Sequence, residues 1–162
     1  MNPHDTERDL EAIAEGIQNA SVPLPRVMTA GQLQADHLPR IADAGFRTVL
    51  DLRGSDEARG FDEQEAVRAS GMEYVHLPVK GRPDDDVFAR FREIMRDDAR
   101  QPIVVHCGSA SRVGGMMIPY LMLDREQQRD EALRMAEGIG LQSPELREAA
   151  LEYAERKRGG GG

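Results

Sequence analysis

Ile103-Val104-Val105-His106-Cys107-Gly108-Ser109-Ala110-Ser111-Arg112-Val113-Gly114-Gly115 decides how this chain is read. Pro102 precedes three β-branched apolar residues, the pattern of a buried parallel strand. Cys107 then stands at the carboxyl end of that strand, and it is the chain's one cysteine. Gly108, Ser109, Ala110 and Ser111 are too small to fill a cavity, so their amides can turn inward toward an anion. The helix expected to follow presents its positive end to the same point. Arg112 adds a planar fork that matches two oxygens of a phosphate-like group. Helix N-termini and nearby cations lower thiol pKa values to roughly 3.5–7.5, so the field that receives an anion also favours a thiolate. Nucleophile and anion receptor are one object in this reading.

Outward from that segment, strands and helices alternate. Arg26 to Thr29, Thr48 to Leu52 and Glu73 to Val79 are expected strands. Gln32 to Ala44, Asp62 to Ser70 and Asp86 to Asp97 are expected helices, the first interrupted near Pro39. Val22 to Pro25 reads as an extended connector because two prolines exclude helix. Beyond Arg112 the pattern is helical throughout: Val113 to Leu123, Arg129 to Gly138 and Pro144 to Arg158. Pro119 falls inside the first of these, and Met116, Met117, Met122 and Met135 form an apolar set expected in the core. Alternating strands and helices imply an α/β fold, three-layered, with a mostly parallel sheet of four to five strands and a helical C-terminal part. The expected organisation is an N-terminal helix within residues 1–21, one α/β domain over 22–158 and a flexible glycine tail over 159–162.

In open parallel sheets, ligands sit at the carboxyl ends of the strands. Three expected strands end in polar residues there: Asp51 and Arg53, the run from Lys80 to Asp86, and His106-Cys107. Neighbouring strands would bring these ends together. Arg53 has two uses, as a second anion contact or as an ion-pair partner of Asp56-Glu57. His106 is either a ring that orients the loop from behind or a satisfied core histidine. His4, His37 and His76 show no metal-ligand spacing, and no metal or other cofactor is expected.

At 162 residues, 40% hydrophobic and 31% charged, the chain fits a single globular core. A net charge of −8 argues against nucleic-acid or anionic-membrane partners, so an anionic substrate must be captured by a local field. No segment has the length and apolarity of a membrane span, and no secretory signal is visible, which makes the cytoplasm the expected location. Oligomeric state is left open.

The constellation resembles the cysteine-based protein phosphatases of the dual-specificity type, and within them the bacterial phosphatase-like relatives. The segments that carry the resemblance are Met28-Thr29-Ala30-Gly31-Gln32, Ala44 to Arg53, Tyr74-Val75-His76-Leu77-Pro78-Val79 and His106-Cys107…Arg112-Val113-Gly114, spread over about residues 22 to 142. The resemblance implies a metal-independent hydrolase that acts on a phosphate monoester, of a protein (phosphotyrosine or phosphoserine) or of a small molecule. Cys107 attacks phosphorus to give a thiophosphate, and Arg112 holds the equatorial oxygens. An upstream aspartate protonates the leaving group. Asp84 is the expected acid from the Asp84-Asp85-Asp86 run, where the competing role is a cap on the helix that follows. His106, Gly108, Ser109, Ala110, Ser111, Val113, Gly114 and Arg53 are the expected substrate-binding positions.

Two departures qualify the resemblance. Four residues separate Cys107 from Arg112, one fewer than in the usual phosphatase loop. Shorter loops of this kind are typical of rhodanese-type sulfurtransferases, so a Cys107 persulfide is the alternative chemistry. Val113 stands where the phosphatase loop usually has a hydroxyl that helps the cysteine leave, and Ser109 or Ser111 would have to substitute. A phosphate-binding adaptor with little turnover is the non-enzymatic alternative.

Overall fold

A computed structural model describes residues 12–159. Their centre is a five-stranded sheet: β1 (Ser21–Leu24), β2 (Val27–Ala30), β3 (Thr48–Asp51), β4 (Glu73–His76) and β5 (Ile103–His106), in the order β1-β2-β5-β3-β4. The pairs β2·β5, β5·β3 and β3·β4 are parallel, and β1·β2 is antiparallel. The helices are α1 (His37–Asp43), α2 (Glu63–Ala69), α3 (Asp85–Arg96), α4 (Ser111–Leu123), α5 (Arg129–Ile139) and α6 (Pro144–Gly159).

The period-2 alternation of the strands divides the core in two. Val27, Leu50, Ile103 and Val105 face a cluster that includes Phe88 and Phe91 of α3, the apolar length of α4, and Leu133, Leu146 and Leu151 of α5 and α6. Met28, Val49 and Val104 face the opposite way, onto Leu38 and Ile41 of α1 and Val67 of α2. Strands β2, β3 and β5 are buried at every residue, which is why their sequences run apolar without a polar face. Helix α4 is buried from Val113 to Met122, with Met116, Met117 and Met122 in the core and Met135 packed against it. It carries Pro119 at the cost of the hydrogen bond to the Gly115 carbonyl.

The expected α/β fold is the one observed, with three corrections to its elements. Val22 to Leu24 is not a connector but part of edge strand β1, where Pro23 removes an N–H that an edge strand can spare. The expected helix over Gln32 to Ala44 starts at His37, so Pro39 lies in its first turn, where a missing N–H costs nothing. Strand β4 stops at His76, although the amides of Leu77 and Val79 still bond to the carbonyls of Asp51 and Leu52. Of the expected N-terminal helix, read over Thr6 to Ile17, residues before 12 lie outside those described, 12–14 are helical, and 15–19 are turn and bend, with Gly16 at φ +84°. Residues 160–162 of the expected tail also lie outside them, and Gly159 ends α6.

Candidate active site

The strand register builds the site. Ala30 pairs with His106, His106 with Asp51, and Asp51 with His76, so one row of the sheet carries these four residues at its carboxyl end. Just past the strand ends lie Gln32, two residues beyond β2, Arg53, two beyond β3, and Cys107, directly after β5. Cys107 follows β5 directly, its amide donating to the Ala30 carbonyl at 3.3 Å. Its sulfur is fully buried and accepts the Ala110 amide at 3.1 Å. Ala110 precedes α4 at φ +75°, a left-handed conformation unusual for a residue with a Cβ, and supplies no side-chain cap. The sharp turn thus aims an amide at the thiol just ahead of the α4 N-terminus.

Arg112, in the first turn of α4, spans the loop. Its Nη1 and Nη2 donate to Oε2 and Oε1 of Glu57, each at 2.8 Å, and Nη1 approaches the Val79 carbonyl at 3.5 Å. A Cβ built on Gly108 would lie 3.4 Å from Nη2, so glycine leaves room for the guanidinium against the loop. The Arg112 pKa is raised, chiefly by the Glu57 hydrogen bonds, with burial opposing. Glu57 is itself a built-in group. Besides Arg112, it accepts the Gly54 amide at 2.6 Å and Arg53 Nε at 3.1 Å. Its pKa is held far below the usual carboxylate range, chiefly by Arg112, with burial opposing and Gly54 and Arg53 assisting. At neutral pH it is therefore an anion and not a proton donor.

Behind the loop, His106 is fully buried, with Nε2 at 2.5 Å from Glu63 Oε2 and 3.7 Å from Asp51 Oδ1. Its Nδ1 faces the Cys107 carbonyl at 3.5 Å. Asp51 accepts the Arg53 amide at 2.9 Å, Arg59 Nε at 2.8 Å and the Tyr74 hydroxyl at 2.6 Å. Burial works to raise its pKa but is outweighed by His106, Tyr74, the Arg53 amide and Arg59, and the net shift is downward. Asp51, Glu63 and His106 bring potential metal-ligand atoms within 4.8 Å of one another. Each carboxylate oxygen already has a protein partner, and Arg59 sits against Asp51. The cluster is accounted for as a hydrogen-bonded support for His106.

The structure brings Cys107, Gly108, Ala110 and Arg112 together in one loop, with Cys107 and Ala110 fully buried, Arg53 joined to Arg112 through Glu57, and His106 directly before Cys107. Arg53 makes the ion pair with Glu57 and also donates Nη1 to Gln32 Oε1 at 2.5 Å. Ser109 is exposed, its carbonyl accepting Asn19 Nδ2 at 3.0 Å, and Ser111 Oγ accepts the Gln142 amide at 2.9 Å. Val113 and Gly114 turn inward to the core, Gly114 facing the Ala136 carbonyl. Asp84 lies apart. It caps α3 through Oδ1, which accepts the Val87 amide at 3.2 Å, in a pocket of about 510 Å³ lined also by Arg82, Phe88 and Arg156 but not by Cys107 or Arg112. Neighbouring Asp85 is gripped by Arg156 through both oxygens at 2.8 Å. Glu57, Gln32 and Glu63 are not among the expected site residues, and Asp51 is expected only as a polar strand end at the ligand side of the sheet. Asp51 and Gln32 sit inside segments that carried the resemblance, whereas Glu63 looks in sequence like any acid on a solvated helix.

Comparison with known proteins places this geometry. The family described as a DSP-PTPase phosphatase fused to NAD+ kinase matches residues 14–153. A β-lactamase hydrolase-like protein of Xylella fastidiosa is 32% identical over 124 residues, 72% of this chain and 28% of that protein. The chain thus spans little more than a quarter of the curated relatives it first matches. Among solved structures, a putative phosphatase (DUF442) from Shewanella putrefaciens superposes with a TM-score of 0.75 at 19% identity, over 90% of this chain and 97% of that one. The catalytic core of the PP-IP phosphatase SIW14 from Saccharomyces cerevisiae gives 0.70 at 16% identity, over 90% and 92%. These two share the fold, and the family match extends to the loop around Cys107. The chain belongs to the DSP-PTPase family, within the cysteine-based phosphatase superfamily.

Proposed function

We propose that this protein is a metal-independent phosphomonoesterase that works through a Cys107 thiophosphate. The observation that carries the reading is the Arg112 fork, pinned by Glu57 on one side and lying against the Cys107 loop on the other. The Cys107 thiolate attacks phosphorus, the P–O bond to the leaving group breaks, and a proton goes to the departing oxygen. Water then attacks the thiophosphate, releasing phosphate and the thiolate. Arg112 and the loop amides hold the equatorial oxygens, where charge builds in the transition state. We assign leaving-group protonation to Asp84, which caps α3 through one oxygen and, among the described residues, is gripped by no arginine; its pocket includes neither Cys107 nor Arg112, so the role requires the segment before α3 to swing toward Cys107 when substrate is bound. General acid catalysis is worth about 10²–10⁴-fold. Proteins that share the fold include a PP-IP phosphatase and PTPMT1 solved in complex with PI(5)P, so a phosphorylated small molecule is as suitable a substrate as a phosphoprotein.

The test is hydrolysis of an aryl phosphate, with a chelator present, by wild type and Cys107→Ser. Turnover by wild type alone is expected, and equal turnover by both or none by either removes the proposal. A parallel incubation with thiosulfate, read by mass spectrometry for one added sulfur on Cys107, reports on the sulfur-transfer chemistry that the short loop brings to mind.

A further inference from the structure

We infer that Gln32 is a positioning residue that ties the support beneath Cys107 to the Arg112 clamp above it. The inference rests on the phosphatase reading for its catalytic meaning. Gln32 follows β2, and its backbone amide donates to the Gly108 carbonyl of the loop at 3.2 Å. Its side-chain Nε2 donates to Glu63 Oε1 at 2.9 Å and to the Leu33 carbonyl at 2.7 Å. Its Oε1 accepts Arg53 Nη1 at 2.5 Å.

These contacts join two sets of groups side chain to side chain; the other bridge among the described residues, through Asp51 and Arg59, meets Arg53 and Glu57 only at their backbones. On one side, Glu63 holds His106 at 2.5 Å. On the other, Arg53 holds Glu57 at 3.1 Å, and Glu57 holds Arg112 through paired 2.8 Å bonds. The path therefore runs from His106 through Glu63, Gln32, Arg53 and Glu57 to Arg112. His106 and Arg112 bracket Cys107 to Ser111, so the path and the loop close a ring.

The chemistry of the middle link is specific. It must donate to a buried carboxylate and accept from a guanidinium at once. A neutral amide does both, because its nitrogen carries donors and its oxygen carries lone pairs. A carboxylate at this position would satisfy Arg53 but face Glu63 with like charge. An apolar side chain would leave Glu63 and Arg53 each one partner short, and both are largely removed from water. A shift passed to Arg112 changes its aim at the phosphoryl oxygens, and small misplacements of this kind cost up to about a hundredfold in rate.

The experiment uses Gln32→Glu, the near-isosteric Gln32→Met, and the exchange Gln32→Glu with Glu63→Gln. The exchange restores a donor facing an acceptor between positions 32 and 63 at the same net charge. Vanadate binding, the KM-against-kcat split for an aryl phosphate and crystal structures are the readouts. Each single variant is expected to weaken vanadate binding about ten- to a hundredfold while remaining folded, and the exchange to recover most of that loss. Wild-type vanadate affinity in both single variants, or no recovery in the exchange, overturns the inference. If wild type itself neither binds vanadate nor turns over, the phosphatase reading has failed and the structures decide instead. Arg112 still paired with Glu57 as in wild type in the Gln32→Glu and Gln32→Met structures then overturns the coupling, and a displaced guanidinium upholds it.

Discussion

Glu57→Gln replaces the carboxylate that grips Arg112 with an amide of the same shape. In the wild type, Oε2 accepts Arg112 Nη1 and the Gly54 amide, and Oε1 accepts Arg112 Nη2 and Arg53 Nε. Whichever way the amide turns, its nitrogen meets two donors and those two lose their acceptor. Hydrogen bonds to charged groups are worth about 1.5–3 kcal/mol each. The Arg112 and Glu57 side chains are 27% and 26% exposed, so water recovers part of this and screening trims the rest. The net cost is about 2 kcal/mol. If the same energy holds the guanidinium in its catalytic orientation, kcat/KM for an aryl phosphate falls about thirtyfold. Urea denaturation reads the first quantity and steady-state kinetics the second. A variant that loses stability but keeps wild-type kcat/KM would refute the positioning argument. Tighter phosphate binding in the variant would show instead that Glu57 competes with the substrate for Arg112.

The Glu57 pKa lies below its unfolded value, so its contribution to stability is complete above that value and disappears as pH falls through the folded one. The gap in denaturation midpoint between wild type and Glu57→Gln is therefore expected to hold from neutrality down to the ordinary glutamate value of 4.5 and to narrow below it, and a gap that widens in acid contradicts the assignment. Gly114→Ala places a Cβ 2.7 Å from the Ala136 carbonyl, a backbone atom that cannot step aside. Overpacking of about 1–3 kcal/mol outweighs a helix-propensity gain of about 1, and the melting temperature falls by a few degrees. Gly138→Ala meets nothing within 4 Å in α5 and is expected to raise stability by about 0.5 kcal/mol, which makes it the matched control for calorimetry. Asp84→Asn keeps the α3 cap and removes the proposed acid, whereas Asp84→Ala removes both and costs about 1 kcal/mol of stability. An alkyl phosphate, with its poor leaving group, should lose about tenfold or more in kcat with the Asn variant while an aryl phosphate loses little; equal rates on both substrates return Asp84 to capping alone.

The sequence by itself determined the layers and the loop. The β-branched run before Cys107, the small residues after it and the polar ends of Thr48–Asp51 and Ile103–His106 are local signals, because side-chain period and residue size act within a few positions of the chain. Strand β1 escaped because an edge strand containing Pro23 is defined only by the neighbour it pairs with. Glu57, Glu63 and Gln32 escaped for the same kind of reason. Each is an ordinary polar residue whose role comes from a partner far along the chain: Glu57 55 residues from Arg112, Glu63 43 from His106, and Gln32 31 from Glu63. Only the parallel register, which sets Ala30, His106, Asp51 and His76 in one row, converts those separations into hydrogen bonds. Cys107 and Arg112 could be read along the chain as members of one loop, whereas the carboxylates that hold Arg112 and His106 were settled by tertiary packing, since a buried charge is tolerated only where the fold delivers its partner.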